Sequence, residues 1–247
     1  MTHTEIKEYL DFKTEQYNTS SFIETDPIQL PHRFTKKEDI EIVAFLVATI
    51  AWGNRTSIIR SGNRIIDIME HDPYHFILNY TSKPIEFVHR TFNAIDLDFF
   101  FRSLRNIYEK GGLEKAFVIH PETEGIKGRI IQFRELFLST EHEKRSEKHI
   151  SNPQKNSAAK RINMFLRWMV RNDSTGVDFG FWRSIPTSEL YLPLDVHTSK
   201  NARELGLITR KQNDWKALDE LMENLKSFDP EDPVKYDFAL FGIGAFE

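Results

Sequence analysis

The run KKEDIEIVAFLVATIAW, residues 36–52, narrows the folds open to this chain more than any other stretch. Wound as a helix, Ile40, Val43, Ala44, Leu46 and Val47 cover nearly its whole circumference, and a helix apolar all round must be enclosed by other elements. Thr35 stands where a capping hydroxyl is wanted, and Gly53 where a helix can end. The segments available to enclose it also read at the helical period. Residues 2–18 place Ile6, Tyr9, Leu10 and Phe12 on one side, and Thr56 or Ser57 opens SIIRSGNRIIDIM. PYHFILNY, IEFVHRTF, DLDFFFRSLRNIYEK before Gly111 and Gly112, LEKAFVIH stopped by Pro121, and GIKGRIIQFRELFLST continue the pattern. Phe99 to Phe101 with Leu104, Ile107 and Tyr108 form a core face. In FIETDPIQLPHRF, Pro27 and Pro31 interrupt regular structure, leaving Asp26 to cap a turn and His32 on the surface. No segment alternates convincingly at period two, so the expected fold is all-α, and 247 residues admit one domain or two tightly packed lobes.

Composition removes several classes of function. Without cysteine there are no disulfides, no Cys-bound zinc and no Cys-bound iron–sulfur cluster, which fits a reducing compartment. The N-terminal stretch MTHTEIKEYLDFKTEQ is polar and no long uncharged apolar segment follows, so no membrane association and a cytoplasmic location are expected. A formal charge of -4 excludes a polycation that coats nucleic acid indiscriminately. The charge is uneven, however. Lys144, Arg145, Lys148, Lys155, Lys160 and Arg161 face only Glu147, which marks residues 141–156 as a basic surface loop and a candidate phosphate-contacting region. From Asp214 onward nine acids stand against three bases.

Chemistry concentrates between Ser157 and Leu207. Lys160 falls in the first turn of a helix whose apolar face is Ile162, Phe165, Leu166 and Met169. The positive end of a helix disfavours an ammonium, so a partly buried lysine there should lose its proton more easily and become nucleophilic. Asp195 follows Tyr191-Leu192-Pro193-Leu194 and precedes VHTSKNARELGL, the position of an N-cap; a capping carboxylate can also face a ligand. If both helix starts face one cleft, an amine meets a carboxylate, a pair suited to attack on a sugar carbon. His197 has no metal-spaced partner in the sequence and reads as packing or support for the site.

These stretches resemble, in order and character, the helix-hairpin-helix DNA glycosylase superfamily, which includes endonuclease III and the 8-oxoguanine glycosylases. Leu194-Asp195-Val196-His197 is similar to the element that carries the superfamily's catalytic aspartate, and Lys160 resembles the lysine that opens the upstream helix in its bifunctional members. AFLVATIAWGN, ending in Gly53-Asn54, resembles the buried helix whose tip enters DNA at a lesion, and DPVKYDFALFGIGA resembles the last core helix. Where the family hairpin reads like L-P-G-V-G, residues 150–157 carry no glycine, so the hairpin is degenerate. The linker from Lys160 to Asp195 is longer than in endonuclease III, as in archaeal 8-oxoguanine glycosylases. The same overall pattern also resembles a bacterial family with no assigned function.

The resemblance implies one glycosylase-like domain over residues 1–247, in two helical lobes with a cleft between them. It implies base-excision repair with AP-lyase activity on damaged duplex DNA, an oxidised purine being one candidate base, by a chain favoured as a monomer. Lys160 would attack C1′ and Asp195 would stabilise the sugar cation and move protons. Asn54, with Arg55, would fill the gap left by the flipped base, and Lys155, Arg161, Arg167 and Arg171 would bind phosphates. Trp52, His197, Trp168 and Trp182 would line or support the pocket, with the core as the other place that Trp168 and Trp182 suit. No cofactor and no metal are implied. Two other readings compete: a non-catalytic nucleic-acid-binding or scaffold protein that kept the fold, favoured by the missing glycines and acidic pI, and a hydrolase using Asp195, His197 and other carboxylates.

Overall fold

The computed structural model describes residues 1–118 and 125–246; the helix stop expected at Pro121 lies outside them. The chain divides into two compact units, one formed by Met1–Glu24 with Asn152–Glu247 and the other by Thr25–Ser151. Among the described residues the fold is all-α apart from one two-stranded ribbon. Among the described residues no helix is long and apolar enough to cross a membrane.

The first unit opens with α1 (His3–Tyr17) and α2 (Ser20–Thr25). Thr2 and Glu5 close a reciprocal capping box at the start of α1, each side chain accepting the other's backbone N–H. The second unit then forms around the run singled out above. Every residue of α3 (Lys37–Thr49) from Asp39 to Thr49 is buried, as an all-round apolar helix requires. Its N-cap is Lys36 rather than Thr35, with no side-chain cap; Glu38 and Asp39 meet the positive helix end instead.

Gly53, at φ 106, turns the chain into α4 (Arg55–Ile68). The N-cap of α4 is Asn54, two or three residues earlier than the Thr56 or Ser57 start suggests, and its Oδ1 accepts Ser57 N at 2.8 Å. Asn54→Ala is expected to lower stability by about 1 kcal/mol, read as a fall in the denaturation midpoint.

After α5 (Pro73–Leu78) the expectation of a helix through IEFVHRTF is wrong. Those residues form a hairpin of β1 (Val88–His89) and β2 (Phe92–Asn93), with His89 opposite Phe92. The reason is visible in the burial: Phe87 and His89 point inward and Val88 outward, a period of two over too few residues to stand out. Arg90 takes the positive φ, 56, at the first turn position. Helices α6 (Ala94–Glu109), α7 (Leu113–Ala116) and α8 (Gly125–Leu138) complete this unit's core, where Phe45 meets Phe133 at 5.6 Å and Phe137 at 5.5 Å between ring centres.

The basic segment is not a loose surface loop. Residues Lys144–His149 and Pro153–Lys155 form short 3₁₀ helices, and Ser146, His149 and Pro153 are buried. The first is fastened to fully buried Asp96, whose carboxylate accepts Arg145 Nη1 at 2.8 Å and Ser146 Oγ at 2.6 Å, with His149 Nε2 3.3 Å away. One enclosed acid thus holds three polar groups of a segment whose composition alone reads as solvated.

The first unit resumes with α9 (Lys160–Val170), α10 (Val196–Glu204), α11 (Trp215–Phe228) and α12 (Tyr236–Phe246). Ile162, Phe165, Leu166 and Met169 of α9 are buried as the pattern predicts. Helix α12 packs against α1 and α10, and the close approach to α1 depends on Gly242, where a Cβ would come within 2.2 Å of the Tyr17 ring. Gly242→Ala is expected to cost about 1–3 kcal/mol by overpacking, measured as a lower melting temperature.

Candidate active site

Residues 150–157, which carry no glycine, still make their turns. Asn152 Oδ1 accepts Gln154 N at 2.9 Å to start the 3₁₀ helix, and Asn156 then takes the left-handed conformation at φ 65. Asparagine tolerates that region. Its Nδ2 donates to Asp214 Oδ2 at 2.7 Å, its carbonyl accepts Trp215 N at 3.0 Å, and Ser157 bridges to Asp214, so the start of α11 anchors the turn. Ala159, buried and at φ 47, makes the second left-handed turn and is the N-cap of α9.

Lys160 is therefore the first residue of α9, and its Nζ lies 3.5 Å from Asp195 Oδ2. The expected pair is together, within one unit. Its two members differ in access: the Lys160 side chain is 37% exposed and that of Asp195 12%. Asp195 uses its oxygens separately, Oδ1 accepting Thr198 N at 2.8 Å as the cap of α10 and Oδ2 facing the amine. The cap fixes the carboxylate's rotation, so the oxygen facing Lys160 is held for charge stabilisation or proton exchange.

Other expected contacts sort into two groups. Lys155 is exposed on the hairpin, Arg161 is partly buried, and burial pulls its guanidinium down to about 10. His197 is exposed beside Asp195. In the other unit Asn54 is exposed and Arg55 half-exposed, while Trp52 stacks on His149 with ring centres 5.9 Å apart. Arg167 and Arg171 do not stand where expected, and Trp168 and Trp182 take the core place rather than the pocket. Both tryptophans are at most 1% exposed and belong to the core, with no face for an extruded base.

The two arginines are 3% exposed and turned inward onto aspartates. Arg167 Nε donates to Asp178 Oδ1 at 3.2 Å and its Nη1 to Asp237; Arg171 reaches Asp173 at 2.5 Å, Asp178 at 3.1 Å and Asp232 at 2.9 Å. Their planar guanidiniums also lie over the Phe238 ring, 4.5 and 5.3 Å from its centre. They are internal counter-ions rather than phosphate ligands. Their acids come from the linker and from α12 and the turn before it, so α9 read alone suggests a basic surface.

The cluster perturbs its members. Against burial, which raises it, hydrogen bonds from Asn18 and Thr175 and the charge of Arg171 hold Asp173 at about 2. Burial pushes Asp237 up to about 7 despite Arg167, with Asp195 and Asp178 adding to the rise and Lys160 opposing it. Asp237 thus holds its proton more tightly folded than unfolded. Its stabilising contribution is full below the unfolded value of 3.8 and is lost as pH rises through about 7. Asp237→Asn is expected to remove that downward slope from a plot of unfolding free energy against pH.

Among the described residues no three histidine or acidic side chains gather in a way that could hold a metal ion. No curated protein and no solved structure matches the chain. The sequence model of one family, described as a protein of unknown function (DUF2400), matches residues 26–246, which is most of the chain. This protein therefore belongs to the DUF2400 family.

Proposed function

We propose that this chain is a cytoplasmic DNA glycosylase with AP-lyase activity, acting through Lys160 and Asp195 on a damaged base, with an oxidised purine the first candidate. The observation that carries the reading is the separation of 3.5 Å between Lys160 Nζ and Asp195 Oδ2, with the amine at the solvent-accessible start of α9. The extruded nucleotide presents C1′ to the amine. The ammonium proton passes to Asp195, the nitrogen lone pair forms a bond to C1′, and the base leaves with the electrons of its glycosidic bond and takes up a proton. Ring opening gives a Schiff base, from which the 3′ phosphate can be eliminated. Lys155 and Arg161 are the phosphate contacts this reading retains.

One observation favours a second reading, a non-catalytic nucleic-acid-binding protein on the same fold: Arg167 and Arg171 are consumed internally, which leaves less positive charge for a backbone. Borohydride trapping on duplexes carrying an abasic site, 8-oxoguanine or uracil separates the two. A covalent adduct is expected, strongest with the preferred lesion. DNA binding without any adduct would establish the second reading, and absence of both would return attention to a hydrolase built on Asp195 and His197.

A further inference from the structure

Resting on the nucleic-acid part of that reading, we infer that the Thr25–Ser151 unit has a contact face of its own for a nucleic-acid backbone. The exposed guanidiniums of Arg60 on α4 and Arg90 on the hairpin turn bind phosphates there, and exposed Arg33 and Arg64 flank them.

His89 fastens this face together. It is buried, its Nε2–H donates to Trp52 O at 3.2 Å, and its Nδ1 accepts the Ser61 hydroxyl at 2.9 Å. One imidazole thus ties the hairpin both to the chain just past α3 and to the second turn of α4. Arg90 follows His89 and Arg60 precedes Ser61, so each cation adjoins one partner of that bond. Arg90 takes its φ of 56 and lays Nη1 against the backbone of Gly53, where a Cβ would stand only 2.6 Å away. Glycine at this corner is what lets the guanidinium rest there. Burial holds the His89 ring below its ordinary pKa, and the charges of Arg90 and Arg60 push it the same way.

Nothing in the described residues neutralises this face. None of Arg33, Arg60, Arg64 and Arg90 has an ion pair among them: Arg33 Nη1 donates to Asn63 Oδ1 at 2.6 Å and Arg64 Nη2 to the Glu86 carbonyl at 2.9 Å, both neutral acceptors. The chain supplies no acid from Ile42 to Ile66, or from Phe87 to Ile95. Asp67, in the last turn of α4, faces His71 at 3.2 Å. Arg60 and Arg64 stand one turn apart, a spacing at which like charges repel. On α6 of the same unit the pattern is the opposite, since Arg102 and Arg105 each meet an acid four residues away at 2.9 Å. A row of arginines left uncompensated on α4 and the hairpin calls for an anion from outside.

Two features favour a phosphate backbone over other polyanions. All four cations are arginines, whose planar fork matches phosphate oxygens two at a time, where lysine offers only a point charge. The exposed residues of α4 are Thr56, Arg60, Arg64 and Asp67, none of them apolar, whereas a helix that lies on a membrane inserts apolar side chains. Contacts of this kind position a nucleic acid without reading its sequence.

The test uses an undamaged duplex, so its outcome stands apart from whether Lys160 forms an adduct. Duplex affinity is measured against salt concentration for the native protein and for Arg60→Gln/Arg90→Gln. The slope of log affinity on log salt should become shallower by about 2, with affinity about 10–100-fold lower at about 0.1 M salt and the same loss on every sequence. An unchanged slope, with native binding intact, overturns this inference alone. No duplex binding by the native protein overturns it together with the nucleic-acid reading.

A second measurement needs no variant to fold. Phenylglyoxal labelling of the native protein, followed by mass spectrometry, should modify Arg60 and Arg90, and the duplex should protect both severalfold while acid-paired Arg105 is labelled alike with and without it. Protection by phosphatidylglycerol vesicles but not by the duplex, or protection by neither, overturns the inference.

Discussion

Lys160→Ala should abolish the borohydride-trapped adduct on every substrate while leaving duplex binding nearly intact, because the reading rests on the amine placed 3.5 Å from Asp195 Oδ2. Asp195→Asn is the sharper companion. Asparagine caps a helix as well as aspartate does, so the bond to Thr198 N and the start of α10 should survive. Only the negative charge and proton-accepting capacity 3.5 Å from the amine are lost. The expected result is a fall in single-turnover rate of about 10²–10⁴-fold at unchanged melting temperature. A loss of rate that tracks a loss of stability would instead make Asp195 a structural cap and nothing more.

The second large effect concerns stability. Arg171→Ala leaves buried Asp178 and half-buried Asp173 and Asp232 with their shared cation gone. Breaking a buried ion network from one side costs about 3–5 kcal/mol, because the remaining charges are desolvated and uncompensated. That is a large part of the 5–15 kcal/mol, roughly, that a domain has in total. Urea titration followed by circular dichroism should show the midpoint collapse, and Asp178→Asn in the same chain should recover part of it. Recovery would show that the loss comes from stranded carboxylates rather than from missing arginine methylenes. If Arg171 instead served a phosphate on the surface, Arg171→Ala would weaken DNA binding in a salt-dependent way and leave the midpoint alone.

What could be read from the sequence depended on how far away the deciding partner lay. The burial of α3 was legible because its own residues contain the signal. Lys160 and Asp195 were legible because each marks the start of an amphipathic helix, and a helix start is a local feature. Arg167 and Arg171 were misread for the opposite reason. A cation on α9 points inward only because Asp178, Asp232 and Asp237 arrive from later segments, and the acidic excess after Asp214 hinted at this without saying which base it would meet. The segment 144–149 was misread likewise, since Asp96 is far upstream. Asp237 had no signal of its own, because its character comes from enclosure and from neighbours on α9 and α10.

The division of the chain has a consequence for biogenesis. The unit that carries Lys160 and Asp195 is discontinuous, its first 24 residues separated from the remainder by the whole of Thr25–Ser151. A chain emerging from the ribosome N-terminus first can complete the intervening unit early, while α1 waits for α12, the helix it packs against, which follows α9, α10 and α11. Until α12 follows, α1 and α10 both lack the helix they pack against, so a nascent chain stalled before residue 236 holds Lys160 and Asp195 without that support.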